Sequence, residues 1–379
     1  MTAGPANVVG GRLVLDDRVA AGRITIEDGR IAAVDIDDGS ATDGPYFAPG
    51  FVDVHVHGWG GHDAMGDPAA LDSMARALLR RGVTAFLPTA VTAPRRELVA
   101  FADRVRTWLP SAPLDGAEPL GFNLEGPFLA ASRRGAHDPT HLRAPADAPR
   151  ASLGPLLDGL RLLTIAPELP GATELIRWLR DRDIAVSIGH SDATLEEARA
   201  GYAAGATSTT HLFNAMSGID HRAPGVAVAA LLDDAAYVEL IADGIHVHPA
   251  LFQLITRLKP PDRLLLVSDA VALAGTGDGL GRIGGLEVEV VGERVTLRGT
   301  ATLAGSVIAL DTAVRNVVTS GVPLPAAVAA ASRNPLALLG IADRGRIAVG
   351  QRADVVELDG DLAVRRVMRA GRWVVGAAD

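Results

Sequence analysis

The chain has 379 residues, 48% of them hydrophobic, a formal net charge of −9 and no cysteine. That length exceeds one small core, so a large unit with a smaller companion is expected. The charge offers no basic face for nucleic acid, and the absence of thiols excludes disulfides, thiolate zinc sites, iron–sulfur clusters and cysteine nucleophiles.

Residues 1–17 show no basic segment followed by an apolar one, and no apolar run reaches the roughly 18 residues of a membrane span. A soluble, cytoplasmic protein with no membrane partner is expected. Residues 1–48 carry short β-like segments at 11–15, 23–27 and 30–34, separated by turns such as Asp28-Gly29. From Phe51 the pattern becomes strand, loop, helix, repeated. Strands are predicted to start near 51, 84, 121, 161, 185, 207, 237 and 263. Helices are predicted over 69–81, 97–108, 173–182 and 249–258, and Thr194-Leu195-Glu196-Glu197 reads as a capping box opening another. A β-like stretch at 285–297 interrupts, helices follow at 306–320 and 325–339, and short strands return at 346–349, 354–358, 364–368 and 372–375.

Strands alternating with helices imply a parallel sheet with crossovers, and eight of them favour a closed (β/α)8, TIM-like barrel. The expected arrangement is a barrel over 49–344, a β-hairpin insertion near 283–303, and a small β-sandwich built from 1–48 plus 345–379.

The chemistry gathers at strand ends. In Pro49-Gly50-Phe51-Val52-Asp53-Val54-His55-Val56-His57-Gly58, side chains alternate faces, so His55 and His57 point the same way. Two imidazoles from one strand suit a metal; a packed pair beside a glycine turn is the alternative. His55, His57, Glu125, His190, His211, His246 and Asp269 all fall at or just past the C-terminal end of a predicted strand, the rim where barrel active sites lie. Each alone is ambiguous. Together they suit a divalent cation with an open coordination position.

The motifs Leu124-Glu125-Gly126-Pro127-Phe128, Arg134-Gly135-Ala136-His137-Asp138-Pro139, Gly189-His190-Ser191-Asp192 and Thr210-His211-Leu212-Phe213-Asn214-Ala215-Met216 follow in order. Ala242-Asp243-Gly244-Ile245-His246, Val267-Ser268-Asp269-Ala270 and Leu303-Ala304-Gly305-Ser306 complete the run. With Pro49–Asp53, these resemble the metal-dependent amidohydrolase superfamily and, within it, the N-acetylglucosamine-6-phosphate deacetylase family. The resemblance implies removal of acetate from a 2-acetamido-2-deoxy-hexose 6-phosphate, the glucosamine epimer first, in amino-sugar recycling. Glu125, His190 and His211 match the metal ligands, Asp269 the catalytic aspartate, and His137 a histidine beside the acetamido carbonyl. Asn214, Ala215, Arg222 and His246 match sugar-phosphate contacts, some serving a neighbouring subunit in a homodimer, and Leu303 and Ala304 match substrate contacts. Some members carry amides where this chain has His55 and His57. The implied cofactor is one divalent metal ion per subunit, or two bridged by Glu125: zinc first, with iron, manganese or cobalt as alternatives.

Relatives that bridge metals with a carboxylated lysine are disfavoured, because Lys259, the only lysine, precedes Pro260-Pro261 at a helix end. Two rivals stand beside this reading: a deacetylase of another N-acyl amino sugar, such as the galactosamine epimer, and a non-catalytic phospho-sugar sensor. The GxGxxG match at 279–284 leads into β-like sequence, so a mobile loop beside Asp269 is expected there rather than a dinucleotide site.

Overall fold

Eight apolar runs pair in parallel, and their order around the sheet is their order along the chain. The computed structural model describes residues 7–37 and 44–376; the parts of the expected β unit at 1–6, 38–43 and 377–379 lie outside the described residues. The barrel strands are Phe51–Val56, Val83–Val91, Phe122–Glu125, Leu160–Ile165, Ala185–Ile188, Ser208–Thr209, Tyr237–Ile241 and Leu264–Val267. Helices cross between most of them, as parallel neighbours require. First and last strands meet at the rim, where the Asp269 N–H donates to the His55 carbonyl (2.9 Å) and the His57 N–H to that of Ala270 (2.8 Å). This is a nearly closed TIM-like barrel.

Several helix starts follow from local chemistry. Asp67 accepts from the Ala70 N–H ahead of Pro68, and the Thr194/Glu197 capping box forms reciprocally. Two features depart from expectation in the helices. The segment 325–339 is two helices, Leu324–Ala331 and Arg333–Leu338, because Pro335 cannot continue an α-helical hydrogen-bond ladder through Ala331. Helices at Arg150–Leu157 and Val226–Leu232 went unpredicted.

Strands from both ends form one seven-stranded sheet, in the order Arg372–Val375, Val364–Arg369, Val355–Leu358, Tyr46–Pro49, Asn7–Val14, Val19–Glu27, Arg30–Ile36. It is mainly antiparallel, with one parallel pairing between Asn7–Val14 and Tyr46–Pro49. Where a sandwich was expected, this single sheet wraps its own core of Leu13, Ile24, Ile31, Val355 and Met368, and an isolated bridge joins Arg30 to Arg352. Residues 346–349 take bends and turns instead of a strand, with Ile347 anchored in that core.

The insertion after the last barrel strand is a three-stranded meander, Gly279–Ile283, Leu286–Val291 and Arg294–Leu297, rather than a hairpin. The GxGxxG segment is therefore its first strand and not a loop. Ile283, Val288, Val290 and Val295 pack there with Val91 and Val271, which places the meander against the barrel mouth. Inside the barrel, Val52, Val54, Leu87, Leu162, Ile241 and Leu265 form an apolar plug closed by Leu336.

Candidate metal centre and active-site cavity

Nε2 of His55 lies 3.2 Å from Nε2 of His57, and Nε2 of His190 lies 3.0 Å from Nε2 of His211. Glu125 stands between the two pairs. Its Oε1 is 2.9 Å from His211 and 3.0 Å from His190, and its Oε2 is 3.2 Å from His57. Asp269 Oδ1 lies 3.1 Å from His57 Nε2. All six side chains are buried. Two groups, His55/His57/Glu125 and Glu125/His190/His211, each have their ligand atoms within 4.8 Å of one another.

The outer nitrogens decide what these rings present to the centre. His55 Nδ1 donates to Glu239 Oε2 (3.0 Å), His57 Nδ1 to the Thr89 carbonyl (3.1 Å), and His190 Nδ1 to the Arg133 carbonyl (2.8 Å). When neutral, each ring thus turns an Nε2 lone pair inward. In the His55/His57 pair, lone pairs facing one another at 3.2 Å beside two carboxylates repel unless a positive charge lies between them. The donor set fits a divalent cation held by imidazole and carboxylate.

The titration tendencies agree. Burial raises the Glu125 pKa, yet His137, His55 and His190 outweigh it and hold the carboxyl well below its usual range. Burial likewise works against Asp269, but His57 and His55 bring it down to about 2. Burial lowers the His57 pKa, and Asp269 and Glu125 overcome this, raising it to about 9. Both carboxyls are charged and the centre draws positive charge.

His137 is bound differently. The Thr92 N–H donates to its Nδ1 (3.2 Å), so the ring hydrogen sits on Nε2, 3.1 Å from Glu125 Oε2. It therefore turns a donor toward Glu125 at the cavity wall, where His55, His57 and His190 turn Nε2 lone pairs inward.

Backbone strain concentrates on this rim. His190, His211, Phe213, Ala215 and Asp269 all have φ between 29° and 77°, a region costly for side chains with a Cβ. Gly189 is required beside His190, because a Cβ there would lie 2.6 Å from Thr210 Cβ.

These side chains open into a cavity of about 360 Å³ lined also by Asn214, Ala215, His246 and Leu303, with Val91, Ala136 and Ile283 as an apolar wall. His246 Nδ1 donates to Asp243 Oδ2 (2.6 Å), which fixes the ring. The structure therefore brings together His55, His57, Glu125, His137, His190, His211, Asn214, Ala215, His246, Asp269 and Leu303. It does not place Ala304 there: that side chain is fully buried in the meander's core. Arg222 is exposed in the loop 217–225 and is not among the residues lining the cavity of its own chain. Lys259 donates to the Ala230 and Asp233 carbonyls, away from the centre. Sequence reasoning missed Glu239; the available signal was one carboxylate inside an otherwise apolar strand.

The amidohydrolase family pattern matches residues 46–374. The chain is 38% identical over 371 residues to N-acetylgalactosamine-6-phosphate deacetylase of Escherichia coli O157:H7, covering 96% of this chain and 94% of that protein. It is 39% identical over 396 residues to human N-acetylglucosamine-6-phosphate deacetylase, covering 97% and 94%. Among solved structures, a mutant N-acetyl-D-glucosamine-6-phosphate deacetylase from Mycobacterium smegmatis, in complex with N-acetyl-D-glucosamine-6-phosphate, superposes with a TM-score of 0.90 at 37% identity, covering 98% of this chain and all of that one. The Thermotoga maritima enzyme gives 0.90 at 34% identity, covering 97% and 99%.

Proposed function

This chain belongs to the amidohydrolase family, and from that premise we propose that it hydrolyses N-acetyl-D-glucosamine 6-phosphate to D-glucosamine 6-phosphate and acetate. The observation that carries the proposal is the convergence of Glu125, His190, His211, His137 and Asp269 on one cavity of sugar-phosphate size.

A divalent cation held by Glu125, His190 and His211, with His55 and His57 offering a further pair, would supply water of lowered pKa and polarise the acetamide carbonyl. Asp269 takes the proton of the attacking water on a carboxylate oxygen and returns it to the departing amine nitrogen. Its charged state and its tethered main chain suit that exchange. His137 offers its Nε2–H to the carbonyl oxygen as negative charge develops there. Asn214, Ala215 and His246 hold the sugar phosphate, and Leu303 borders the ring. Arg222, exposed and outside its own cavity, is assigned to the phosphate of a neighbouring subunit in a homodimer, where its planar fork suits a phosphate. Ala304, buried behind Leu303, supports that loop rather than the ligand.

Acetate release from N-acetylglucosamine 6-phosphate tests the reading; binding of this compound without acetate release would instead favour a sensor. A second reading has a specific ground: the Escherichia coli O157:H7 relative is a deacetylase of the galactosamine epimer. Comparing kcat/KM for the two epimers decides between them.

A further inference from the structure

Glu239 is wholly buried in the seventh barrel strand, and one of its oxygens serves both cation groups. Its Oε2 accepts the Nδ1–H of His55 at 3.0 Å and the main-chain N–H of His211 at 3.1 Å, while its backbone carbonyl accepts the Leu212 N–H at 2.8 Å. Its Oε1 has no hydrogen-bond partner among the described residues.

A buried carboxylate with one oxygen unpartnered is costly unless positive charge stands nearby. The other outer nitrogens make the point by contrast. His57 and His190 donate Nδ1–H to main-chain carbonyls, which carry no net charge. Of these three rings, only His55 is backed by a side-chain carboxyl group. A carboxylate behind an imidazole fixes the tautomer, fixes the ring plane and makes Nε2 a stronger donor to a cation. The second bond reaches the other group: it tethers the main chain of His211, a member of Glu125/His190/His211 held at φ 29°.

We propose that Glu239 is a positioning residue that makes His55 competent to bind a cation and ties the His55/His57/Glu125 group to the Glu125/His190/His211 group through one carboxylate. This rests on the cation reading above. Glutamine at this position keeps the shape and can still accept one bond, but it carries no charge. Its amide can also donate to His55 Nδ1, which moves the ring hydrogen to Nε2 and blocks the lone pair.

The test is cation binding rather than turnover. Metal-free full-length protein is titrated with Zn2+ by calorimetry, and with Co2+ followed by visible absorption, for the parent, Glu239→Gln, His55→Asn and the double variant. The expected result is a loss of about 10–100-fold in affinity for Glu239→Gln at the binding step that His55→Asn also weakens. The double variant loses no more than His55→Asn alone, and Glu239→Asp recovers part of the loss. Unchanged affinity in Glu239→Gln, or fully additive losses, overturns the proposal. A parent that binds neither cation sinks the cation reading itself. Should Glu239→Gln fail to fold, 15N spectra of the Zn2+-loaded parent decide: His55 must carry its proton on Nδ1, and a proton on Nε2 overturns the assignment.

Discussion

The main-chain N–H of Thr92 donates to Nδ1 of His137 at 3.2 Å, and this one bond separates His137 from the four imidazoles around Glu125. With Nδ1 occupied as an acceptor, the ring hydrogen is on Nε2, beside Glu125 Oε2 (3.1 Å) at the cavity wall. Under the proposed function, this makes His137 a hydrogen-bond donor to substrate rather than a cation ligand.

His137→Asn should therefore lower kcat by about 10²–10³, the range for losing one donor to a developing oxyanion. Metal content per chain should stay at the parent's value. Elemental analysis beside steady-state kinetics checks this, and a fall in metal content matching the fall in kcat would make His137 a ligand.

Asp269→Asn should retain cation and sugar-phosphate binding and lose several orders of magnitude in kcat, because the amide can neither take nor return the proton. Direct binding of N-acetylglucosamine 6-phosphate, measured beside acetate release, separates the two effects. A variant as active as the parent would remove Asp269 from the reaction.

Protons and the cation compete for the same nitrogens. The His57 pKa is raised to about 9 in the metal-free protein, so at pH 7 a proton occupies the place that a cation would take. Cation binding at pH 7 should release protons, and affinity should rise with pH toward about 9. For stability the sign is the reverse. A raised pKa contributes stability that is full below the ordinary histidine value near 6.5 and is lost as pH climbs through about 9. Thermal unfolding of metal-free protein across that window should show a loss that is smaller in His57→Asn, the His55 and His211 pKa values being raised as well; identical profiles for the two would contradict it.

The barrel is tied to the terminal sheet through Glu118, which accepts from Arg344 (2.8 Å) and pairs with Arg352. Burial works against its charge, but Arg352 and Arg344 prevail and lower its pKa. Its contribution is thus present above the ordinary glutamate pKa and is lost as pH falls through the lowered value. Glu118→Gln should cost about 1–3 kcal/mol at neutral pH and flatten the acid side of the stability profile. Denaturant unfolding at pH 7 and pH 4 measures both, while kcat stays unchanged.

Much of this is legible in the sequence. Each barrel strand is a short apolar run between turn residues, and the histidines and acids stand where those runs end, so strand count and rim followed from one pattern. Other parts carried no such signal. Val226–Leu232 is apolar on every side and shows no period, and Arg150–Leu157 is masked by Pro149, Gly154 and Pro155. Glu239 sits within a strand rather than at its end, off the rim where the other acids and histidines stand. The left-handed backbone at His190, His211 and Asp269 is imposed by packing around the centre, and no glycine announced it. Leu303 and Ala304 are adjacent in sequence, yet one faces the cavity and the other the meander, a division set by the isolated bridge of Leu303 to Thr296.

The proposed hydrolysis depends on a cation gripped where Glu125, His190 and His211 converge. Its most direct test is the rate of acetate release by protein exhaustively treated with a chelator and then resupplied with Zn2+, Fe2+, Mn2+ or Co2+. Loss of activity with the metal, and its return with at least one of these ions, is the result predicted. Undiminished hydrolysis in the metal-free sample would contradict it.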